Sequence, residues 1–513
     1  MALATNGATE RMGQQLRLDE LLDGCAAKFV GNAAIDVTGI SYDSRCVEPG
    51  HVFVAIPGFV HDGLEFVPEA LRRGAVAIVS ERPSSSLKDR APACTWAQVD
   101  STRSALAALA CRWHGAPSEH LVVVGVTGTN GKTTVTALLE AIFADRAPVG
   151  RWSTTQVRIA GASSPTPRTT PEAPELQAAM AEMLDAGCWA AIIEVSSHAL
   201  RLHRVAGTRF AAATFTNLSP DHLDFHHDMD DYLDAKAKLF ETLPADAPAV
   251  LNAADPVAPR LAARSSGRTV TYGWAGEDGA TPDYCLDRFD SRPTGSRLHL
   301  TTPTSAGCIE TPLFGRANAE NIGAAVATAM ELGFSFDTVC KAASSFRGEP
   351  GRLQAVDAGQ AFHVLVDFAH TPGAIQAALE AVRSIVDKGR VIVVFGCGGD
   401  RDRTKRALMG KIAANAADVA VVTSDNPRGE DPDAIIDEIV AGIGATPHAD
   451  VHVEADRAKA IDLALSLAVP GDCVLIAGKG HETQQIFRDR VIPFDDVEVA
   501  TATLAGRDTE VSR

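Results

Sequence analysis

The sequence is as informative in what it lacks as in what it carries. Ten cysteines are scattered through 513 residues and no two form a C-x-x-C pair. That argues against a zinc ribbon or a disulfide framework and fits buried thiols in a reducing compartment. The opening stretch MALATNGATERMGQQ has no apolar core of the kind a secretory signal needs, and residues 1 to about 15 read as disordered. No run approaches the about 20 apolar residues that would span a bilayer. Positive charge is also short: 47 basic against 65 acidic residues gives a net charge of −18. Such a balance disfavours non-specific binding to nucleic acid or an anionic membrane. It still permits an anionic substrate in a local basic pocket, because screening acts over only about 8–10 Å. No internal repeat of 20–50 residues is visible. The expectation is a cytoplasmic protein without membrane or nucleic-acid partners.

What is present is a globular balance, with 46% hydrophobic and 22% charged residues. At roughly 100–200 residues per domain the length suggests about three domains. Strand-like runs VFVAI (52–56) and AVAIV (75–79) are followed by a polar stretch, ERPSSSLKDRAP, from 81, which reads as a loop. SALAALACRW (104–113) reads as helical. A second unit opens with the buried-strand pattern LVVVGVTG (121–128), then a helix with Val135, Leu138, Leu139, Ile142 and Phe143 on one face. Thr170 and Pro171 fit the start of another helix and Gly187 its stop, directly before the strand WAAIIEV (189–195). From about 350 strands at 363–367, 390–396, 418–423 and 473–477 alternate with helical stretches. That predicts a second doubly wound parallel sheet, with ligands at the carboxyl ends of its strands. The expected class is α/β in three domains: a small α/β unit (1–100), a central P-loop-type parallel-sheet unit (101–348) and a Rossmann-like unit (349–513).

Gly128-Thr129-Asn130-Gly131-Lys132-Thr133-Thr134 lies between a predicted strand and a predicted helix. Glycines let backbone N–H groups close on phosphate oxygens, and the helix N-terminus adds partial positive charge. Lys132 can reach the outer phosphates and the Thr133 hydroxyl can ligate Mg²⁺. The strict G-x-x-x-x-G-K-[ST] pattern fails, because Val126 stands at its first position. The competing reading is a glycine-rich turn carrying a surface lysine. Other segments are ambiguous by themselves. By residue type alone Glu194 can be a solvated acid at a strand end, His222 is more often a structural histidine, and Lys236 reads as a solvated charge on an Asp/Lys-rich helix. Asp43-Ser44-Arg45 and His61-Asp62-Gly63 read as turns, and Asp425-Asn426-Pro427-Arg428 as an Asn-Pro turn with an exposed arginine.

The form TGTNGKTT resembles the Mur ligase family, which joins amino acids to carboxylates with ATP. So do EVSSH (194–198), TNLSPDHLD (216–224), YLDAKAKLF (232–240), GRANAENI (315–322), PGR (350–352), DFAHTP (367–372) and GCGGDRDR (396–403), in this order over nearly the whole chain. The resemblance implies three domains that bind a UDP-linked acceptor, ATP and an amino acid in turn, in a monomer. It makes Glu194, His222 and Thr133 ligands of Mg²⁺. It makes Lys236 the bearer of a carbamate derived from CO₂, with Lys238 a solvated neighbour. It places Asn321, Arg352, Asp367 and His370 around the nucleotide. Ser44, Arg45, His61 and Asp62 would hold the UDP portion. Thr169, Thr170, Ser196 and Arg204 would hold the acceptor peptide. Leu202 departs from a glutamine found in some relatives and is left outside the site. Asp425, Asn426, Pro427 and Arg428, with Arg406, Gly478 and Glu482, would bind meso-diaminopimelate. Its second carboxylate suits the guanidinium of Arg428 and its distal ammonium suits Glu482. Asp425-Asn426-Pro427-Arg428 argues against a lysine-adding enzyme. The N-terminal elements argue against folylpolyglutamate synthase. A P-loop switch would turn over ATP without an acceptor or an amino acid.

Overall fold

The computed structural model describes residues 8–9, 14–86, 94–166, 168–276, 281–292, 295–386, 388–444 and 447–511. Most of the opening stretch expected to be disordered, and part of the polar loop that begins at 81, lie outside the described residues.

Among the described residues three large sheets organise the chain, beside two two-stranded ribbons. The first has six strands, and its parallel part comprises Gly39–Ser41, His51–Val54, Ala77–Ser80 and Thr95–Gln98. The helix Thr102–Trp113 packs Leu106, Leu109 and Trp113 into the core of this unit. Ser101 caps that helix by accepting the Ser104 N–H.

The second sheet has eleven strands. At its centre Val122–Thr127 lies between Ala190–Glu194 and Ala212–Phe215, parallel to both. These strands are covered on both faces, so they read as continuous apolar runs rather than alternating ones. The helix Lys132–Phe143 follows the central strand, and the expected stripe of Val135, Leu138, Leu139, Ile142 and Phe143 is fully buried. The helix expected at Thr170 begins later, at Ala173–Asp185, with Glu172 at its N-cap and Pro174 in its first turn. Thr170 is unavailable as a cap. Its hydroxyl donates to the Glu194 carbonyl at 2.7 Å and accepts the Ser196 N–H at 3.1 Å. Gly187 follows the helix with φ +77°, as a stop requires.

The third sheet runs Gln354–Ala355, His363–Asp367, Cys473–Ala477, Val391–Phe395, Val419–Val422, Asp450–Val453, parallel except for the first pair. Four of these strands match the expected ones to within about a residue. The strand Asp450–Val453 escaped sequence reading, because Asp450, His452 and the exposed Val453 break any apolar run. The architecture is α/β, but the sheets are mixed: the central one, expected to be parallel, carries antiparallel strands at both edges, and its parallel centre presents at its carboxyl end the loops described next.

Candidate functional site

Three adjacent parallel strands end together at Thr127, Glu194 and Phe215, and the loops that follow form one surface. Gly128 has φ +149° and Gly131 φ +87°. A side chain at Gly128 would fall onto Thr216 Oγ1, and one at Gly131 onto Asn321 Oδ1. Both glycines are therefore required by close packing as well as by dihedral angle. The loop is cross-braced: Thr129 N–H donates to the Asn217 carbonyl at 2.8 Å, and Asn130 N–H to Asn217 Oδ1 at 3.0 Å. Lys132 Nζ folds back to donate to the carbonyls of Gly128 (3.0 Å) and Thr129 (2.8 Å). Burial lowers its pKa, while the negative fields of Glu194 and Asp221 act the other way.

Glu194 is 0% exposed. Among the described residues its two carboxylate oxygens accept hydrogen bonds from Thr154 alone, from the N–H at 3.1 Å and the hydroxyl at 3.0 Å. A buried carboxylate held only by neutral donors keeps lone pairs for a cation. Lys236 is 1% exposed, not a solvated charge. Its Nζ donates to the Gly128 carbonyl at 2.8 Å and lies 4.4 Å from the centroid of the Tyr232 ring. Burial, reinforced by the Lys132 charge, drives its pKa well below that of an ordinary lysine. Lys238 is half-buried. His222 has a positive φ of 55° and lies beside Asp221, 3.6 Å from its carboxylate. Burial lowers its pKa. Among the described residues no three His, Cys, Asp or Glu side chains converge as a ready-made metal cluster.

The third unit closes on this surface. Arg352 Nη2 reaches Thr133 Oγ1 at 3.5 Å, and its guanidinium sits 4.9 Å from the Phe368 ring centroid. Asp367 ends its strand by accepting the N–H groups of Leu353 (2.7 Å) and Ala369 (2.8 Å), and burial raises its pKa. Asn130, Gly131, Thr134, Asn321, Arg352 and Asp367 line one cleft of about 340 Å³. A larger cavity of about 620 Å³ has His198, Asp221 and His222 on one wall, His370 beside them, and Asn426, Arg428 and Glu482 on the other. Asp425 and Gly478 also line it. Pro427 holds the turn, its carbonyl accepting the Glu430 N–H. Arg428 has φ 49° and is half-buried. Its Nη1 donates to the Gly399 carbonyl at 3.0 Å, and burial lowers its pKa. Arg406 stands apart from the cavity wall, with its guanidinium bonded to Glu430 (2.8 and 3.0 Å) and Glu438 (3.0 Å).

At the first unit, Ser44 and Arg45 follow the strand Gly39–Ser41, while His61 and Asp62 follow His51–Val54. These strands are parallel neighbours, so both loops leave the same end of the sheet. Asp43 accepts the Arg45 N–H and pairs with its guanidinium at 2.6 Å; Asp62 accepts the Leu64 N–H and pairs with Arg82 at 3.1 Å. Phe59, on the second loop, meets Phe225 of the central unit at 5.8 Å between centroids, and Phe225 stacks on His198 at 4.0 Å. Thr170 and Ser196 hydroxyls are 3.3 Å apart, Arg204 Nη1 donates to the Thr170 carbonyl at 3.1 Å, and the Thr169 hydroxyl lies 3.0 Å from that of Thr154. Arg204 also pairs with Glu172 at 2.8 Å, so an incoming carboxylate would compete with that acid. Leu202 closes the short helix Ser197–Arg201 as its C-cap.

Sequence reading missed Thr154, because only the parallel register of Val149–Trp152 with Ala190–Glu194 brings it to Glu194. It also left Lys479 unassigned, although that residue sits between Gly478 and Glu482, both expected at the site.

Comparison with known proteins follows the same division. Residues 36–114 match the Mur ligase family catalytic domain, 126–329 the Mur ligase middle domain, and 351–480 the Mur ligase glutamate ligase domain. The chain is 44% identical over 495 residues to a UDP-N-acetylmuramoyl-L-alanyl-D-glutamate–2,6-diaminopimelate ligase of Gloeobacter violaceus, covering 96% of this chain and 99% of that one. A protein of the same description from Solibacter usitatus is 44% identical over 477 residues, covering 92% and 94%. A solved structure of a ligase so described superposes with a TM-score of 0.69 at 30% identity, over 96% of this chain and all of that one. With end-to-end relatives at this identity, and the three matched segments falling on the three sheets in order, the chain belongs to the Mur ligase family.

Proposed function

We propose that the chain is an ATP-dependent amide ligase that adds meso-diaminopimelate to UDP-MurNAc-L-Ala-D-Glu through an acyl phosphate, in peptidoglycan precursor synthesis in the cytoplasm. The observation that carries this reading is the shared cavity of about 620 Å³. His222 and Asp221, beside the phosphate loop, face Asn426, Arg428 and Glu482 across it. An amine chosen on one wall is thereby delivered to a carboxyl activated on the other.

Amide formation from a carboxylate is uphill in water, and a phosphoryl group converts the carboxylate oxygen into a leaving group. Phosphoryl transfer needs mainly positioning and charge neutralisation. Among the described residues Lys132 donates only to loop carbonyls, so it can turn to phosphate oxygens without breaking an ion pair. Arg352 brings a second cation to the same loop from the third unit. Gly128, Thr129, Asn130, Gly131, Thr133 and Thr134 cradle the phosphates, and Asn321, Asp367 and His370 border the nucleotide. Mg²⁺ would be held by Thr133, Glu194, His222 and a carboxylated Lys236, and when bound it would neutralise phosphate charge. The donor set fits: Glu194 is buried with only Thr154 donating to it among the described residues, and burial pushes Lys236 towards the neutral form that adds CO₂.

Thr169, Thr170, Ser196 and Arg204 would orient the acceptor carboxyl, with the UDP portion against Ser44, Arg45, His61 and Asp62. Arg428 would bind the distal carboxylate of diaminopimelate and Glu482 its ammonium, with Asp425, Asn426, Pro427 and Gly478 shaping the pocket. Arg406 would act through Glu430 and Glu438 rather than by contact. Closure of the outer units would keep water from the acyl phosphate. The enzyme would work as a monomer on small-molecule substrates. The test is an amino-acid panel with ATP, Mg²⁺ and the UDP-linked dipeptide. Lengthened UDP-peptide and ADP should form together with diaminopimelate and not with lysine. ADP release without acceptor or amino acid would instead indicate a P-loop switch.

A further inference from the structure

Beneath the wall of the large cavity lies a lysine that the ligase reading does not use. Lys479 is 0% exposed. Its Nζ is 3.1 Å from Asn426 Oδ1, 3.1 Å from Glu482 Oε2 and 3.7 Å from Asp425 Oδ1. An ammonium can only donate hydrogen bonds. The backbone N–H of Ile486 meets the same Asn426 oxygen at 3.0 Å. Two donors therefore fix that atom as the amide oxygen, and the Asn426 Nδ2 must point to Glu482 Oε2, at 2.7 Å. Asn426 is thus unable to accept from a ligand ammonium. Glu482 has one oxygen occupied twice, by Asn426 and by Lys479, which leaves Oε1 for whatever enters the cavity.

We propose that Lys479 is the positioning and specificity-determining residue of the amino-acid pocket: it fixes the orientation of Asn426 and Glu482 and balances the pocket charge to suit a zwitterionic side-chain terminus. This rests on the reading of the cavity as the amino-acid site. Lys479 and Arg428 set two cations against the carboxylates of Asp425 and Glu482 at this end of the cavity. A terminus carrying both an ammonium and a carboxylate finds a partner for each there, in Glu482 and Arg428. Without Lys479 the carboxylates of Asp425 and Glu482 lose a buried ammonium partner, and a terminus with an ammonium alone becomes the better electrostatic partner. Lys479 does not line the cavity, so its effect passes through the residues that do.

The experiment compares the full-length enzyme with Lys479→Met and Lys479→Gln. It reads kcat and KM for diaminopimelate, ATP and the UDP-dipeptide, the ratio of kcat/KM for diaminopimelate over lysine, and thermal unfolding. Loss of a charge-assisted hydrogen bond implies a rise of about tenfold in the diaminopimelate KM. The KM values for ATP and the UDP-dipeptide should stay near wild type, and the diaminopimelate-to-lysine ratio should fall by at least as much. Gln keeps an N–H donor for Asn426 Oδ1 and removes only the charge, so it should fold and still lose selectivity. An unchanged ratio, an equal loss on all three substrates, or failure of both variants to fold would overturn the proposal. Arg428→Ala, run in parallel, separates the two readings. If it leaves the diaminopimelate KM unchanged, the cavity is not the amino-acid site. If it raises that KM and the Lys479 variants do not, only the role of Lys479 falls.

Discussion

Lys132 and Lys236 donate to a single acceptor, the carbonyl oxygen of Gly128, at 3.0 and 2.8 Å. Two buried ammonium groups on one carbonyl are electrostatically unfavourable, and the cost is relieved when one amine is neutral. Lys236 is the one pushed well below its usual pKa, by burial and then by the Lys132 charge. A neutral amine at this position is able to take up CO₂ and become an oxygen donor. Lys236→Ala is therefore expected to lose nearly all ligase activity and to regain part of it with added short carboxylates. Full activity of the variant without additive would remove the carbamate from the site.

Arg428 is anchored through Nη1 to the Gly399 carbonyl in a turn with positive φ, so its guanidinium is held in place before any ligand arrives. A preorganised planar cation suits a carboxylate better than a flexible one. Arg428→Ala should raise the diaminopimelate KM by roughly 100-fold, the effect of removing one partner from a desolvated charge pair. The ATP KM should change little. Steady-state kinetics with each substrate varied in turn makes the comparison, and an unaltered diaminopimelate KM would count against the assignment.

How much of this was legible beforehand depended on whether the information was local. The phosphate loop, its helix and most parallel strands announce themselves through glycines and apolar runs within a dozen residues. Lys236 shows the limit. Its neighbours at helical spacing, Tyr232, Leu233, Leu239 and Phe240, are apolar and buried, so periodicity turns it inward while Lys238 is half-buried, but only the packing of the helix Met229–Glu241 against the phosphate loop reveals its partner, the Gly128 carbonyl. The start of the helix Ala173–Asp185 was misplaced because Thr170 bonds across the sheet to Glu194 and Ser196, a long-range demand that overrides capping preference. Thr154 reaches Glu194 across 40 residues, and Lys479 reaches Asn426 across 53 in addition to its neighbour Glu482. No window along the chain contains both ends.

Arg151 shows how the segment before Thr154 ties the units together. It is 0% exposed and pairs with Glu140 at 2.9 Å and with Glu349 at 3.0 Å. Glu349 lies three residues before Arg352 and its carbonyl accepts the Arg352 N–H at 3.1 Å, so the pair fixes the turn that carries Arg352. Breaking a buried ion pair strands the remaining charges and costs about 3–5 kcal/mol. Arg151→Met should lose that much in urea unfolding, because buried Glu349 loses its cation and Glu140 keeps only the half-buried Arg158. Glu349→Gln should lose less, since Arg151 keeps Glu140. Near-equal stability of Arg151→Met and wild type would show that the triad is solvated in solution.

Two histidines make stability depend on acidity in a defined direction. His198 is held at about 4 by burial, then by the charges of His222 and His226. His481 is held at about 4 by burial, then by Arg352 and His370. Both are neutral in the folded state at pH 6, while the unfolded chain binds protons there near the ordinary value of 6.5. Stability rises with pH wherever the unfolded state holds more protons. Their contribution is therefore present in full above 6.5 and is lost as the pH falls towards about 4, with no further loss below it. The carboxylates that titrate in the same range are common to wild type and variant, so the informative quantity is the difference between wild type and His481→Gln. The variant should show a shallower fall in unfolding free energy between pH 6.5 and 4, measured by denaturant titration at each pH. Parallel curves for the two proteins would mean that His481 charges freely in the folded state, and that the Arg352 side of the cleft opens to water on acidification.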